Sequence, residues 1–334
     1  MAPPSTNEEK VTFILLFSRN RSSCDVPYLM AQRDEHIYPT LMTATFYFMR
    51  DLIDYRAISL DNCVYIIGGR YASTGRLSNA VFKYDAHIDF WRGCEPMKSV
   101  RANFAVTIFD SKIYVLGGEG QKGIIVQSVE VYDPTTNKWK EAGTFMKPKR
   151  YHAALAMHGK LWSSGGANSL IEAKSTGELI LVDPQPNEWK RSITNHTLPV
   201  ACQQHCMTVI NDNILVFGGC QKNGDEAHNI QTIARAISQS SESTTDWPKS
   251  RRSCAFPLCR CSSLYIIGGH NCQTGDPTKV IERIDFSNSS KPTIDEQFEI
   301  DKDFAAVDCC VVQTNQYNEH LLPLASYLDR WIVW

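Results

Sequence analysis

The stretch KIYVLGGEGQKGIIVQSVEVYDPTTNKW, residues 112–139, carries the pattern that decides the fold. In it a short apolar strand ends in Gly-Gly, a later strand ends in Tyr132-Asp133, and Trp139 follows a turn. The Pro and Asn of that turn, PTTN, are typical of a tight reversal between two strands. A lone Gly-Gly pair marks only a loop, so the meaning of the pattern depends on whether it recurs.

The pattern does recur, with a period of about 50 residues. Gly-Gly pairs occur at 68–69, 117–118, 165–166, 218–219 and 268–269, which are steps of 49, 48, 53 and 50 residues. Each pair ends a short apolar strand that is preceded by another strand and a tight polar turn. A third strand ending in Asp follows in four of the copies, and a Trp begins the fourth strand in three. Four strands per unit at this period are the signature of a β-propeller blade.

The shape of a propeller explains the residue types in this repeat. Blades radiate from an axis, so the gap between neighbours is narrow inside and wide outside. Large aromatic side chains fill the outer gap, and glycines allow close approach or a positive φ where a side chain would clash. The residues predicted to have this structural role are Gly68, Gly69, Gly117, Gly118, Gly165, Gly166, Gly218, Gly219, Gly268, Gly269, Tyr84, Tyr132, Trp91, Trp139 and Trp189.

The two ends of the chain supply the remaining strands. VTFILLFSRN at 11–20 resembles a second strand of the repeat, and FAAVDCCVV at 304–312 resembles a first strand with no blade behind it. We therefore predict that 304–312 pairs with 11–17, which would remove the open strand edges. The expected fold is all-β, a six-bladed propeller with four antiparallel strands per blade, closed by the C-terminal strand. Five blades with loose ends is the alternative.

The predicted organisation follows from the positions of the repeats. A disordered segment is expected at 1–9 and a C-terminal tail at 313–334, and the propeller spans 10–312 between them. The predicted blades are 10–48 with 304–312, 55–100, 101–149, 150–198, 203–250 and 253–302.

Composition and charge exclude several classes of function. The chain has 34 Lys and Arg and 36 Asp and Glu, a net charge of −2, so no general field attracts nucleic acid or an anionic membrane. The N-terminal residues MAPPSTNEEK lack the basic and apolar regions of a secretory signal. The most apolar run, VTFILLF, is too short to span a bilayer. We expect a cytoplasmic protein with neither a nucleic-acid nor a membrane partner.

The repeat residues resemble those of kelch repeats, the four-stranded blades of kelch-like proteins. The resemblance covers roughly 10–312 and is strongest at 55–190, where RYHAALAMHGKLW and VEVYDPTTNKW lie close to the usual pattern. In the commonest animal kelch proteins a BTB and a BACK domain precede the propeller. The propeller then holds a substrate, and the BTB domain recruits a cullin-type ubiquitin ligase. Because nothing before residue 10 could be a BTB domain, we expect the recognition portion alone, with cullin recruitment requiring a BTB domain supplied elsewhere.

Two loop positions in each blade are expected at the mouth, the end of the propeller where the connecting loops meet. One position follows Gly-Gly and the other precedes the first strand. In kelch propellers that bind acidic peptides, arginines at such positions point into the mouth, and a guanidinium can bind a carboxylate with two hydrogen bonds. The alternatives are a solvated loop arginine or a capping partner for a neighbouring blade. The predicted partner-binding residues are Arg70, Arg101, Arg150, Gln203, Ser253, Glu119 and His270.

Glu119 and His270 in this set argue against a purely acidic ligand. No catalytic residue, metal site or cofactor is predicted. His152 and His205 fall at the same place in successive repeats, and the cysteines near residue 260 lack a Cys-x-x-Cys pair. No Gly-rich loop opens a helix, so nothing supports nucleotide binding.

Three classes of function are therefore compared. The favoured one is a protein-interaction module, the substrate-recognition propeller of a cullin-RING ligase adaptor that binds a protein or peptide at its mouth. An actin-binding cytoskeletal protein is the alternative. An enzyme, such as a kelch-type copper oxidase, is the least favoured, because the cluster of Tyr, His and Cys ligands that it needs cannot be assembled.

Overall fold

The computed structural model describes residues 10–18, 28–33, 36–40, 51–88, 90–145, 147–168, 174–185, 188–210, 212–223, 226–229, 234–235, 263–269, 280–285, 293–299 and 306–315. Regular structure in these ranges is β-strand, apart from one 3-10 turn at Gln121–Gly123. No helix in the described ranges is long and apolar enough to cross a membrane. The predicted N-terminal segment at 1–9 lies outside the described residues, as do residues 316–334 of the predicted tail at 313–334.

The strands, in chain order, are β1 (Lys10–Ser18), β2 (Tyr28–Arg33), β3 (His36–Thr40), β4 (Leu52–Ile53), β5 (Arg56–Leu60), β6 (Cys63–Ile67), β7 (Arg70–Tyr71), β8 (Val81–Asp85), β9 (Phe90–Cys94), β10 (Ala105–Phe109), β11 (Lys112–Leu116), β12 (Ser128–Asp133), β13 (Lys138–Thr144), β14 (Ala153–Met157), β15 (Lys160–Ser164), β16 (Thr176–Gln185), β17 (Glu188–Cys202), β18 (Cys206–Ile210), β19 (Asn213–Phe217), β20 (Cys220–Asn223), β21 (Glu226–Asn229), β22 (Ala234–Arg235), β23 (Ser263–Ile267), β24 (Val280–Asp285), β25 (Thr293–Glu299) and β26 (Ala306–Asn315).

These strands form antiparallel sheets that follow the predicted repeats. Among the described residues, four sheets have four strands: β26-β1-β2-β3, β5-β6-β8-β9, β10-β11-β12-β13 and β14-β15-β16-β17. Two sheets, β18-β19-β22 and β23-β24-β25, show three strands within the described ranges, and β4-β7 and β20-β21 are short pairs. The prediction of an all-β fold built from antiparallel sheets is confirmed.

The first sheet contains strands from both ends of the chain. In the pairing of β1 with β26, Phe13 lies opposite Val312 and Leu16 lies opposite Cys309. The pairing predicted between the two ends is therefore present, and β26 continues to Asn315, beyond the predicted limit at 312. The first strands of successive sheets then lie side by side, β26 next to β5, β5 next to β10, β10 next to β14 and β14 next to β18.

Aromatic side chains fill the space between neighbouring sheets. Trp139 is 6% exposed, and its ring centroid lies 5.0 Å from that of Tyr132. Tyr132 also meets Tyr65 of the preceding sheet edge to face, at 5.9 Å between centroids. The Trp139 Nε1 donates a hydrogen bond of 2.8 Å to the carbonyl of Glu95, which follows β9. The indole of Trp139 thus packs between two sheets and also joins them by a hydrogen bond.

The other predicted aromatic positions differ in how far the structure describes them. Tyr84 is buried, and Trp91 is half-buried with its ring centroid 5.2 Å from that of Tyr84. The backbone of Trp189 lies in β17, opposite Pro184, while its side chain lies outside the described part of the structure.

The Gly-Gly pairs have a packing reason as well as a conformational one. Gly117 and Gly118 have φ values of 60° and 97°. A Cβ at Gly117 would lie 2.6 Å from the carbonyl oxygen of Lys149, which precedes the next sheet, and a Cβ at Gly118 would lie 2.7 Å from that of Ala102. Both distances are too short for a real contact. The first glycine of this pair therefore allows close approach of the backbone of the neighbouring blade, and the second allows close approach of a loop of its own blade.

The rings that face Gly68, Gly117 and Gly165 are those of Phe104, His152 and His205, respectively. Both histidines are buried. Burial lowers the pKa of His152 well below its ordinary value, and burial together with the charges of Lys149 and Arg56 lowers the pKa of His205 to about 3. Both side chains are therefore neutral in the folded protein at neutral pH.

We expect the protein to lose stability as the pH falls below 6.5, because the unfolded histidines then bind protons that the folded ones reject. Each histidine contributes a loss of about 1.4 kcal/mol per pH unit. His152→Phe, which copies Phe104, should reduce this loss in denaturation curves recorded at two pH values. His158→Asn, which replaces an exposed histidine, is the control for the substitution itself. An equal pH dependence in His152→Phe and wild type would contradict the assignment.

Candidate functional site

Among the described residues, four with positive φ lie where the chain enters an inner strand, before β5, β10, β14 and β18. They are Asp54, Asn103, Tyr151 and Gln204, with φ values of 57°, 53°, 56° and 57°. Positive φ is uncommon outside glycine, so its recurrence at one repeat position indicates a shared backbone requirement.

That requirement is a chain of hydrogen bonds from one sheet to the next. The amide of Asn103 donates to the carbonyl of Asp54 (3.4 Å), that of Tyr151 to Asn103 (2.9 Å) and that of Gln204 to Tyr151 (2.9 Å). We call these four residues the mouth belt, because their bonds run from sheet to sheet along the side of the inner strands where the loops meet.

The residues that follow Gly-Gly lie beside the mouth belt. Arg70 is opposite Ile53, and Glu119 is opposite Ala102. Ala167 is opposite Arg150, and Cys220 is opposite Gln203. The two loop positions identified in the sequence therefore meet at the same end of each sheet.

Four charged residues from three successive sheets meet at this end, and we call them the mouth cluster: Asp54, Arg70, Glu119 and Arg150. The Arg70 Nε lies 2.8 Å from Asp54 Oδ2, and its Nη2 lies 3.0 Å from Glu119 Oε2. The Arg150 Nη1 lies 3.4 Å from the same Glu119 oxygen. The four side chains are 11–22% exposed, so a ligand can still reach them.

The mouth cluster is electrically balanced, with two positive and two negative side chains. Burial by itself lowers the pKa of Arg70, but the bond to Glu119 and the charge of Asp54 outweigh it and raise the pKa above its ordinary value. The guanidinium of Arg150 lies over the ring of Tyr151, and its carbon is 4.9 Å from the ring centroid. Asn103 Nδ2 donates to the Tyr151 hydroxyl at 3.3 Å. Charged, aromatic and amide groups therefore adjoin one another.

The structure corrects the prediction for Arg101, which does not reach the mouth. Its side chain is 0% exposed, and its Nη1 donates to the carbonyls of Gly117 and Ser128, at 3.0 Å each. Its Nη2 donates to Glu130, which is 1% exposed. Burial lowers the pKa of Arg101, while the charge of Glu130 opposes the decrease. A side chain without exposed surface cannot contact a partner, so Arg101 stabilises the fold.

The next repeat contains a pair of the same kind. Lys149 is 0% exposed, and its Nζ lies 3.2 Å from Glu178. Glu130 and Glu178 are 48 residues apart, as are Arg101 and Lys149 and the two Gly-Gly pairs. Arg101 therefore corresponds to Lys149, and the residue that corresponds to Arg150 is Ala102.

The remaining predicted residues contribute less to the site. Gln203 is 4% exposed, which leaves a partner little of its side chain to contact. Ser253 and His270 lie outside the described residues, so their role stays a prediction. In the described part of the chain no three His, Cys, Asp or Glu residues are grouped to hold a metal ion.

Sequence reasoning missed several residues at the mouth. Asp54, Asn103 and Tyr151 could have been found by counting 16 residues back from each position after Gly-Gly, since 70 − 54, 119 − 103 and 167 − 151 are equal. Two exposed apolar side chains, Tyr71 (38%) and Ile124 (65%), lie in the loops after Gly-Gly on the same side of the sheets. Solvent-exposed apolar and aromatic groups beside arginines are typical of protein-binding surfaces.

The chain is a β-propeller repeat protein, because its antiparallel sheets repeat, their first strands lie side by side, and the hydrogen bonds of the mouth belt link them. The model of the KLHDC2/KLHL20/DRC7 Kelch-repeats domain matches residues 103–317, more than half of the chain. The chain belongs to the kelch-repeat family, and the resemblance read from the sequence is confirmed. Kelch-repeat domains are protein-interaction modules and generally not enzymes.

Individual relatives agree with this assignment. Kelch-like protein 26 of Danio rerio is 26% identical over 254 residues, which cover 75% of this chain and 40% of that protein. Alpha-scruin of Limulus polyphemus is 25% identical over 247 residues, which cover 70% of this chain and 26% of that protein. The chain thus spans less than half the length of these relatives. The solved structure of YjhT has the same fold, with a TM-score of 0.66 at 16% identity, covering 81% of this chain and 91% of that chain.

Proposed function

We propose that the chain is a substrate-recognition propeller that binds a segment of another protein at its mouth. The observation that carries the proposal is the mouth cluster, in which charged side chains from three sheets converge and stay partly exposed. Tyr71 and Ile124 add exposed apolar surface on the same side. Aromatic and arginine side chains contribute most of the affinity in protein interfaces.

We also propose that six blades close into a ring through the pairing of β26 with β1. That pairing, and the side-by-side order of the inner strands from β26 to β18, support the proposal. The blade limits given above, with the last strand extended to Asn315, belong to the same proposal. A crystal structure of the chain would count the blades directly.

The favoured role for this propeller is that of a ubiquitin-ligase adaptor, working with a BTB domain. The similarity to Kelch-like protein 26 supports this role. The similarity to alpha-scruin fits the alternative, a cytoskeletal protein that binds actin filaments. Co-sedimentation with actin filaments separates the two roles, because only the actin-binding protein should appear in the pellet. A cytoplasmic location is proposed for both.

Replacement of Arg70 and Arg150 by alanine should reduce the capture of partner proteins from cell extract by about tenfold, because the mouth cluster loses both of its arginines, the side chains that hold Asp54 and Glu119 in place. Quantitative mass spectrometry of the captured proteins measures the effect. Arg92→Ala is the matched control, since Arg92 is exposed on the outer strand β9, and it should capture the same proteins as wild type. An unchanged set of proteins with a folded double variant would place the binding surface elsewhere.

A further inference from the structure

The carboxylate of Glu119 occupies the position that a carboxylate ligand would need. A single oxygen, Oε2, lies 3.0 Å from Arg70 Nη2 and 3.4 Å from Arg150 Nη1. The two arginines come from different sheets, on either side of the sheet that carries Glu119. Arginine binds anions through contacts of this kind, so the protein itself already fills the anion site between them.

The backbone holds Glu119 in this position. Its amide donates to the carbonyl of Ala102 at 2.8 Å, and its carbonyl accepts from the amide of Ala102 at 3.0 Å. Among the described residues, the other positions that follow Gly-Gly carry Arg70, Ala167 and Cys220. Glu119 is therefore the only acid at this repeat position in the described part of the chain, and it lies between the two cations.

An acidic ligand has to displace Glu119 before it can reach the arginines. The displaced carboxylate would stay on the same loop, close to the incoming charge, and like charges in proximity repel each other. An uncharged ligand meets no such cost, and it can still contact the half-buried Tyr151 and pack on the exposed side chains of Tyr71 and Ile124.

We propose that Glu119 determines which ligands the mouth accepts, by excluding acidic segments and admitting uncharged polar and aromatic ones. This inference rests on the proposed function, because it concerns the same surface. It makes Glu119 a specificity-determining residue, whose removal turns the mouth into a site for acidic peptides.

The test uses three fluorescein-labelled peptides of equal length that differ only in whether their variable positions carry glutamate, glutamine or lysine. Fluorescence anisotropy at one fixed low ionic strength gives the affinity of each for the full chain. Glu119→Gln should bind the glutamate peptide about tenfold more tightly than wild type does, with the glutamine peptide changed by less than about twofold. Glu119→Ala should give the same gain for the glutamate peptide.

Two controls connect the gain to the arginines. Asp110→Asn removes the same charge from the opposite end of β10, where Asp110 is 75% exposed, and should bind all three peptides as wild type does. Glu119→Gln combined with Arg150→Gln should lose the gain. The inference is overturned if the glutamate peptide gains nothing, if all three peptides gain equally, or if Asp110→Asn gives the same increase. Capture from extract, measured in parallel, decides the proposed function separately: capture that survives loss of both arginines overturns that function, whatever the peptides do.

Discussion

Trp139→Ala is expected to lower the free energy of unfolding by about 3–5 kcal/mol, the usual cost of truncating a large buried aromatic side chain. Trp139 is 6% exposed and packs within a cluster that spans two sheets, including Tyr65, Ile113 and Tyr132. Its indole also donates the 2.8 Å hydrogen bond to Glu95. The variant therefore loses both the packing of the outer gap and a bond across it.

Denaturant titration followed by tryptophan fluorescence and circular dichroism measures this loss. Phe90→Ala is the matched control, because Phe90 is an aromatic residue of the outer strand β9 and is 58% exposed. Its replacement should change the stability by less than about 0.5 kcal/mol. A loss below about 1 kcal/mol for Trp139→Ala would mean that this side chain does not hold the two sheets together.

Arg101→Met is expected to cost a similar amount, about 3–5 kcal/mol, because it leaves the carboxylate of Glu130 buried without its cation. Both side chains are at most 1% exposed, so water cannot replace the lost partner. Glu130 also accepts hydrogen bonds from the amides of Lys98 and Ser99, at 2.7 and 3.1 Å. Those bonds hold the loop that leads into β10, and we expect this loop to become more mobile in the variant.

A double-mutant cycle with Glu130→Gln tests whether the two charges act as a pair. The combined variant should lose less stability than the sum of the two single changes, because neither charge is then buried alone. Arg92→Met controls for the loss of an exposed arginine and should shift the stability by less than about 0.5 kcal/mol. Additive losses in the cycle would show that Arg101 and Glu130 stabilise the fold independently.

The sequence predicted the repeat well because the repeat is set by packing. Gly-Gly must admit a neighbouring blade, and Trp139 must fill a wide gap, so both leave an unmistakable residue type at a fixed spacing. The strand pairing of the two chain ends was predictable for the same reason, since each end carried half of a recognisable unit.

The site was predicted less well because arginine serves two purposes at adjacent positions. Arg101 lies three positions before Phe104, whereas Arg150 lies only two positions before His152, the residue that corresponds to Phe104. This difference of one residue sends the first side chain into the sheet, towards Glu130, and the second towards the mouth. Residue type alone cannot distinguish the two. The mouth belt was not predictable from residue type either, because its four residues share a backbone conformation but have different side chains.

The mouth belt has a consequence for how such a protein can change over evolutionary time. Its links from sheet to sheet use only backbone amide and carbonyl groups. The same link therefore forms whatever the side chain is, as shown by the four residues Asp54, Asn103, Tyr151 and Gln204. Substitution at the partly exposed positions Asp54, Tyr151 and Gln204, by residues that tolerate positive φ, alters what the propeller presents to a partner and leaves the backbone links between sheets in place. The binding preference of the propeller can therefore change in evolution while its fold stays the same.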